Sequence, residues 1–194
     1  ISSTGQYQSA VVYSGQIYTS SDYGVNWTPR GSIRAWVSIS LSSTGQYQTA
    51  TVLNGQLYIS SDFGQNWTAR PLTGNWRAVS ISSTGQYQTA VIYSGRIWIS
   101  SDFGMNWVGK ADVLYYSGIS LSSTGQYQTA TLDGGQLYIS SDFGQNWTAK
   151  ASSVGYLLSV SISSTGQYQI ANDVTTGPLY FSRDYGFTWS PYAS

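Results

Sequence analysis

The sequence predicts an all-β protein made of five tandem repeats, each about 40 residues long. Two recurring motifs and the absence of any helical apolar period lead to this prediction. The hexapeptide Ser-Thr-Gly-Gln-Tyr-Gln recurs at spacings of 40, 40, 40 and 41 residues, beginning at Ser3, Ser43, Ser83, Ser123 and Ser164. A second motif places Gly two residues and Trp five residues after an Asp, and its five copies start at Asp22, Asp62, Asp102, Asp142 and Asp184.

Each unit is interpreted as four short strands, as the second unit illustrates. Its first strand lies near 36–40 and its second near 47–52, and a Ser-Thr-Gly turn joins them with Gly45 at a positive φ. The hairpin signal Asn54-Gly55 precedes a third strand at 56–60, and a fourth strand starts near Asn66. Four short strands at a fixed period are typical of propeller blades, whose radial arrangement protects most strand edges.

We therefore predict a single domain, 1–194, folded as a five-bladed β-propeller of four-stranded antiparallel blades. The repeat units span about 1–33, 34–73, 74–113, 114–154 and 155–194. The first unit opens after its inner strand should have ended, so its blade is expected to lack that strand. Because an open sheet edge can pair with another chain, self-association through this blade is also expected. The alternatives are part of a larger ring and another kind of β-repeat array.

The second motif reads Ser-Ser-Asp-Phe-Gly-Gln-Asn-Trp over residues 60–67. This pattern, Ser-x-Asp-x-Gly-x-x-Trp, resembles the Asp box, also called the BNR repeat. Five copies at one period extend the resemblance over essentially the whole chain, which is therefore similar to the propellers of sialidases and sortilin-type receptors. The resemblance implies that each box forms the hairpin between the third and fourth strands, on the face away from the sialidase active site.

The residues of the box also indicate a structural role on their own. An Asp at the start of a tight turn accepts hydrogen bonds from backbone N–H groups two residues on. Gly64 permits a left-handed turn residue, and Trp67 adds a large apolar surface to a thin sheet. Three boxes contain the formal glycosylation acceptor Asn-Trp-Thr, although turn geometry explains the Asn equally well; these begin at Asn26, Asn66 and Asn146.

Composition excludes several classes of function. With zero formal net charge and only 8% charged residues, the chain has no basic stripe to neutralise nucleic-acid phosphates. No apolar run approaches the roughly 18–20 residues of a membrane span. Cys, His and Glu are all missing, which excludes thiolate and imidazole metal sites and Ser–His or Cys–His nucleophile pairs. We expect no metal and no cofactor, and an extracellular or cell-surface location, given the hydroxyl-rich and aromatic-rich composition.

The resemblance to sialidases implies a hydrolytic activity that the residues argue against. The sialidase mechanism uses three Arg residues, a Tyr nucleophile polarised by a Glu, and an Asp acid, and this sequence contains no Glu. Other glycosidases need two carboxylates facing one bond. Outside the boxes and the hairpin at Asp133, only Asp112 and Asp173 are left. We predict that the protein is not an enzyme, with a glycoside hydrolase as the disfavoured alternative.

Differences among the units indicate where a ligand binds. The hexapeptide turns and the boxes barely change, whereas the links between units and the second hairpin vary, and binding sites usually occupy loops on a rigid scaffold. The links end in aromatic residues at nearly the same offset, and Arg residues flank two of them; the resulting candidate contacts are Trp36, Trp76, Tyr116, Tyr156, Arg34 and Arg77. Aromatic faces and Arg donors suit sugars, so we predict a lectin-like, carbohydrate-binding module. Packing of these aromatics between blades is the competing interpretation.

A structural or assembly role is the second functional hypothesis. Units two and four are nearly identical from Leu41 and Leu121 through the Trp of their boxes. A natural surface component, or an engineered propeller, would be built in this way without needing a small-molecule ligand.

Overall fold

A computed structural model describes residues 1–150, 156–175 and 179–192. All regular structure in these residues is β, and no helix long or apolar enough to cross a membrane occurs among them. The strands are β1 (Gln8–Val11), β2 (Tyr13–Ser20), β3 (Thr28–Leu41), β4 (Gln48–Ser60), β5 (Thr68–Ile81), β6 (Gln88–Ser100), β7 (Val108–Leu121), β8 (Gln128–Leu132), β9 (Leu137–Ser140), β10 (Thr148–Lys150), β11 (Leu157–Ile162), β12 (Gln169–Asp173), β13 (Leu179–Ser182) and β14 (Ser190–Pro191).

The described strands form five antiparallel sheets, one for each repeat unit. The long strands β3, β5 and β7 each belong to two sheets. Residues 28–35 of β3 pair with β2, whereas residues 36–41 pair with β4, so one strand serves as the fourth strand of one unit and the first strand of the next. The first sheet has three strands, β1 to β3, as the sequence predicted.

The register of each hairpin brings the two recurring motifs to the same end of the sheet. In the fourth unit Gln128, the last residue of the hexapeptide, pairs with Ser140, the first residue of the box. The opposite end carries the variable turns and links. The turn residue at positive φ is Ser14, Asn54 or Ser94, with φ of 57, 51 and 56°, so in these units the residue before the glycine takes the left-handed conformation.

Successive units are joined by two ladders of hydrogen bonds between equivalent residues. The backbone N–H of Ser43 donates to the carbonyl of Ser83 at 2.9 Å, and the same bond recurs at each junction from Ser3 to Ser164. Beside it, the Thr49 hydroxyl donates to Gln88 Oε1 at 2.5 Å. Both Thr49 and Gln88 are buried, so these bonds form in a low dielectric where losing a partner is costly.

Apolar layers between the units form the core. Leu57, Ile59, Trp76, Val79 and Ala90 make one such layer between the second and third units, and Trp107 of the third box packs against it. Equivalent layers lie at the other junctions. The units are therefore stacked side by side, and each relies on its neighbours to bury its sheet faces.

Candidate functional site

Each Asp box closes its own turn with a fixed set of hydrogen bonds. In the second box, Asp62 Oδ1 accepts from the Ser60 hydroxyl at 2.8 Å and from the Asn66 backbone N–H at 2.9 Å. The Asn66 side-chain amide donates to Asp62 Oδ2 at 2.6 Å. The Ser60 hydroxyl accepts from the Gly64 N–H at 3.0 Å, and Trp67 Nε1 donates to the Gly64 carbonyl at 2.9 Å. Both carboxylate oxygens are therefore engaged within the turn.

Two details of the box differ from the sequence prediction, and a third agrees with the turn role considered for the Asn. The carboxylate receives its backbone bond from the residue four positions on, not two, and the Ser hydroxyl bonds the Gly N–H instead. Phe63 as well as Gly64 has a positive φ, 63 and 79°, so the turn needs two consecutive left-handed residues. The Asn amide is part of the turn, and in the fifth box the Thr188 hydroxyl takes its place, donating to Asp184 Oδ2 at 2.6 Å.

These hydrogen bonds keep the box carboxylates ionised. Bonds from the Asn26 backbone and side chain hold the pKa of Asp22 below its ordinary value. At the other boxes desolvation acts to raise the pKa, but the bonds from the Ser and Asn or Thr donors outweigh it, so the pKa is again lowered; this holds for Asp62, Asp102, Asp142 and Asp184. A carboxylate with both oxygens occupied and a lowered pKa is a poor proton donor.

We expect the folded state to lose stability in acid because of these carboxylates. Their folded-state pKa lies below the unfolded value near 3.8, so the stabilisation is fully present above that pH and is lost as the pH falls through the folded pKa. Urea denaturation should give a constant free energy of unfolding down to about pH 5 and a falling one below about pH 4. Asp102→Asn should flatten this acid dependence and the exposed-residue control Asp112→Asn should not; a profile that stays level in acid would contradict the prediction.

Three of the predicted ligand contacts lie in the core. Trp36, Trp76 and Tyr116 are 2%, 0% and 0% exposed, so their rings pack between units and do not face a ligand. The Trp36 ring packs edge-on against Tyr58 with centroids 5.1 Å apart, and Trp76 Nε1 donates to the Gly55 carbonyl at 3.0 Å. The competing interpretation, packing between blades, describes these three residues.

Tyr156 does not occupy the position equivalent to these buried aromatics. The link that leads to Leu157 contains one additional residue, so the buried equivalent in the fifth unit is Leu157, which pairs with Asp173 as Trp36 pairs with Val52. Tyr156 is instead 51% exposed and corresponds to the exposed Tyr115. The predicted offset was therefore wrong by one residue, and the shift places the Tyr156 ring on the surface.

The two predicted Arg contacts are exposed, and each guanidinium lies over a Tyr ring. Arg34 lies 5.0 Å from the centroid of Tyr58, and Arg77 lies 4.6 Å from that of Tyr93. These distances fit cation–π contacts, which hold the guanidinium over the ring while its N–H groups stay available. Only Arg77 borders a groove described next.

A groove of about 290 Å³ lies at the variable end of the third, fourth and fifth sheets. We call it the loop-face groove and define it by Arg77, Tyr93, Asp133, Tyr156, Leu158 and Val174. The Tyr93 hydroxyl donates to Asp133 Oδ2 at 3.1 Å, and this bond raises the pKa of Tyr93. One cavity thus combines a guanidinium, a carboxylate, an exposed aromatic ring and apolar side chains.

The residues of the loop-face groove occupy positions that recur in every unit but differ from unit to unit. Tyr93, Asp133 and Val174 are equivalent to one another at the 40-residue and 41-residue spacings. Arg77 and Leu158 are likewise equivalent. Because the same fold position accepts such different side chains, packing does not determine which residue stands there. The boxes differ in this respect, since their residues barely change from unit to unit.

A second groove of about 340 Å³ lies among box residues between the first two units, lined by Asp22, Asn26 and Arg30. The cationic residue of this groove recurs along the chain, because four units have Arg or Lys at the equivalent position: Arg30, Arg70, Lys110 and Lys150. Lys150 Nζ lies 5.0 Å from the ring centroid of Phe187 in the next unit. Contacts between units account for this groove, so it is a weaker candidate than the loop-face groove.

Comparison with protein families identifies the repeats. The family described as BNR-Asp box repeat matches residues 17–29, and the BNR/Asp-box repeat family matches residues 58–69 and 138–149. The chain contains Asp-box repeats. No curated protein sequence matches it.

Solved structures similar to this Asp-box protein are β-propellers. The β-propeller domain of Myceliophteria thermophila Cps50 (Swd1) has a TM-score of 0.74 at 11% identity, over 93% of this chain and 63% of that domain. A chain of a nidogen/laminin complex has a TM-score of 0.72 at 13% identity, over 94% of this chain and 76% of that one. YCF48 bound to D1 peptide has a TM-score of 0.62 at 16% identity, over 98% and 78% of the two chains.

These likenesses confirm the predicted propeller fold of the Asp-box protein. The strand order runs from β1 to β10 in one set and from β11 to β14 in another, and the described strands form no closed sheet. The five-bladed closed ring therefore stays a prediction.

Proposed function

We propose that this chain is a non-catalytic binding module that recognises carbohydrate in the loop-face groove. The observation that supports the proposal is the convergence of Arg77, Asp133 and Tyr156 from three successive units on one cavity. A volume of about 290 Å³ is at the small end of ligand sites, about 300–1,000 Å³, and suits a terminal sugar better than a long chain.

Each side chain of the groove has a defined part in sugar binding. The exposed ring of Tyr156 offers an apolar face for the C–H surface of a sugar. The Asp133 carboxylate accepts hydrogen bonds from sugar hydroxyls, and the Arg77 guanidinium donates them. The contacts of Arg77 and Asp133 with Tyr93 hold both groups in place before a ligand arrives, which lowers the entropy cost of binding.

The carboxylates support a binding role and argue against hydrolysis. Among the described residues that line the loop-face groove, Asp133 is the one carboxylate, so no second acid faces it across a bound sugar. Asp112 is exposed, and Asp173 is buried with its Oδ1 accepting from the Thr175 hydroxyl at 2.8 Å. We propose an extracellular or cell-surface setting on the composition described above.

Peptide is the competing ligand class. Two of the similar structures are complexes, one named for a D1 peptide and one for nidogen and laminin. At 13% and 16% identity those likenesses concern the fold, so they do not identify the ligand of this groove.

We expect Tyr156→Ala and Asp133→Asn each to weaken glycan binding about tenfold or more. Truncating a central contact commonly costs about 1.4 kcal/mol of binding free energy, and this corresponds to a tenfold loss of affinity. Glycan-array binding followed by calorimetry on the strongest sugar measures this effect. Tyr13→Ala is the matched control, since Tyr13 is exposed and occupies the position of Tyr93 in the first unit, outside the groove.

Two outcomes would overturn the carbohydrate proposal. One is unchanged sugar binding by the folded Tyr156→Ala, Asp133→Asn double variant. The other is an array without binding, paired with peptides from a displayed library that bind the wild type and lose affinity in the same variants. If neither sugars nor peptides bind, the structural or assembly role replaces the binding module.

A further inference from the structure

Each unit presents two different faces, and the junctions within the chain show how these faces fit. At all four junctions a hexapeptide Tyr packs on the aromatic residue of the next box. The ring centroids are 4.4 to 4.6 Å apart in the pairs Tyr7–Phe63, Tyr47–Phe103, Tyr87–Phe143 and Tyr127–Tyr185. The same two faces are thus complementary four times over.

The fit at these junctions is close. A Cβ on Gly85 would lie 2.6 Å from Tyr47 Cβ, and the second, fourth and fifth units show the same crowding, so in these four units the hexapeptide turn has room for glycine alone beneath the preceding Tyr. The third strand of each of the first four units is covered by the next unit, and Leu57, Ile97 and Leu137 are at most 1% exposed. Steric fit, ring contacts and backbone bonds therefore all favour the same partner face.

The outer faces of the first and fifth units carry the equivalents of these junction residues. On these two faces the side chains are exposed. On the fifth unit, Tyr168 is 56% exposed and Leu179, the equivalent of Leu57, is 41% exposed. On the first unit, Tyr23 is 66% exposed and Trp27 is 41% exposed, whereas the equivalent Trp of each later unit packs against the preceding third strand. A groove of about 320 Å³ between Tyr168, Ile170 and Phe181 marks the open side of the fifth unit.

We propose that the outer face of the fifth unit binds the outer face of the first unit of a second copy of this chain, head to tail. Tyr168 then stacks on Tyr23, the Ser164 N–H donates to the Ser3 carbonyl, and Trp27 covers Leu179. The partner is identified by the repeat itself, because every internal junction forms the same contacts between the same positions.

One position makes this contact weaker than the internal junctions. Ile170 stands where Thr49 stands in the second unit, so it has no hydroxyl to donate to the Gln8 side chain of the second copy. A buried hydrogen bond is thereby lost at this junction. The association is therefore reversible and depends on protein concentration.

Disulfide trapping tests the proposal, because the chain contains no Cys of its own. Equivalent Ser residues at the internal junctions are joined N–H to carbonyl at 2.7 to 2.9 Å, which brings their Cα atoms within disulfide range. A Ser3→Cys chain mixed with a Ser164→Cys chain should give a covalent dimer on oxidation, and neither chain alone should do so. A Ser32→Cys chain, with its thiol on an exposed link, mixed with the Ser164→Cys chain measures random cross-linking.

A chain carrying both Ser3→Cys and Ser164→Cys distinguishes a second copy from closure of one chain on itself. We expect a ladder of covalent multimers, and we expect Tyr168→Arg in the same chain to reduce it at least tenfold while the folded spectrum is unchanged. An internally linked monomer, or trapping no stronger than that of Ser32→Cys, would overturn the proposal.

Discussion

Replacing Trp76 by Ala is expected to lower the free energy of unfolding by about 3–5 kcal/mol, the usual cost of removing a large buried aromatic side chain. Trp76 is fully buried between the second and third units, among Leu57 and Val79, and its Nε1 donates to the Gly55 carbonyl. The substitution leaves a cavity and removes this donor from the Gly55 carbonyl. Urea denaturation followed by circular dichroism measures the change.

Tyr115→Ala is the matched control for Trp76→Ala. Tyr115 is an aromatic residue near the equivalent place in a later unit, but it is exposed, so the change should be within about 1 kcal/mol. A loss below about 1 kcal/mol for Trp76→Ala would show that its ring is not packed in the core. It would also restore Trp76 as a candidate ligand contact.

Gln88→Ala is expected to cost about 2–4 kcal/mol, because each buried polar group left without its partner costs about 1–3 kcal/mol. Gln88 accepts from the Thr49 hydroxyl of the preceding unit and donates to the carbonyl of Gly85 in its own turn at 3.0 Å. Truncation leaves both groups buried without this partner. The junction between units two and three should weaken as a result.

Gln8→Ala and a double-mutant cycle define the effect of Gln88. Gln8 is equivalent to Gln88 but is only half-buried at the start of the ladder, so its truncation should cost about 1 kcal/mol or less. Thr49→Val combined with Gln88→Leu removes both partners and should show a coupling energy of about 1–2 kcal/mol. Strictly additive effects would show that the inter-unit bond contributes nothing to stability.

The repeat and its strands were predictable because their chemistry is local. Glycine turns, hairpin signals and the Ser-x-Asp-x-Gly box are read from neighbouring residues, and the three-stranded first sheet followed from counting. The ladder between units was missed, although its signal was present: a Gln ends all five hexapeptides, as Gln8, Gln48, Gln88, Gln128 and Gln169. A polar residue kept in every copy indicates a bond that the fold requires.

The candidate site was only partly predictable, since the register decides which face a side chain takes. One additional residue in the link before Leu157 places Leu157 in the core and Tyr156 on the surface, because a shift of one position in a strand moves side chains to the opposite face. Arg77 and Tyr156 were predicted and do meet in one groove, but Asp133 was assigned to a turn alone. Its proximity to Tyr93 comes from stacking of units, which no local pattern encodes.

Carbohydrate binding in the loop-face groove is tested most directly by a nuclear magnetic resonance titration of the folded chain with its strongest array sugar. We expect chemical-shift changes at Arg77, Asp133 and Tyr156 on the variable end of the sheets. The side-chain amide signals of the boxes, such as those of Asn66 and Asn146, should keep their positions because both carboxylate oxygens beside them are already engaged. Shift changes centred on the Asp boxes, with the groove signals unmoved, would contradict it.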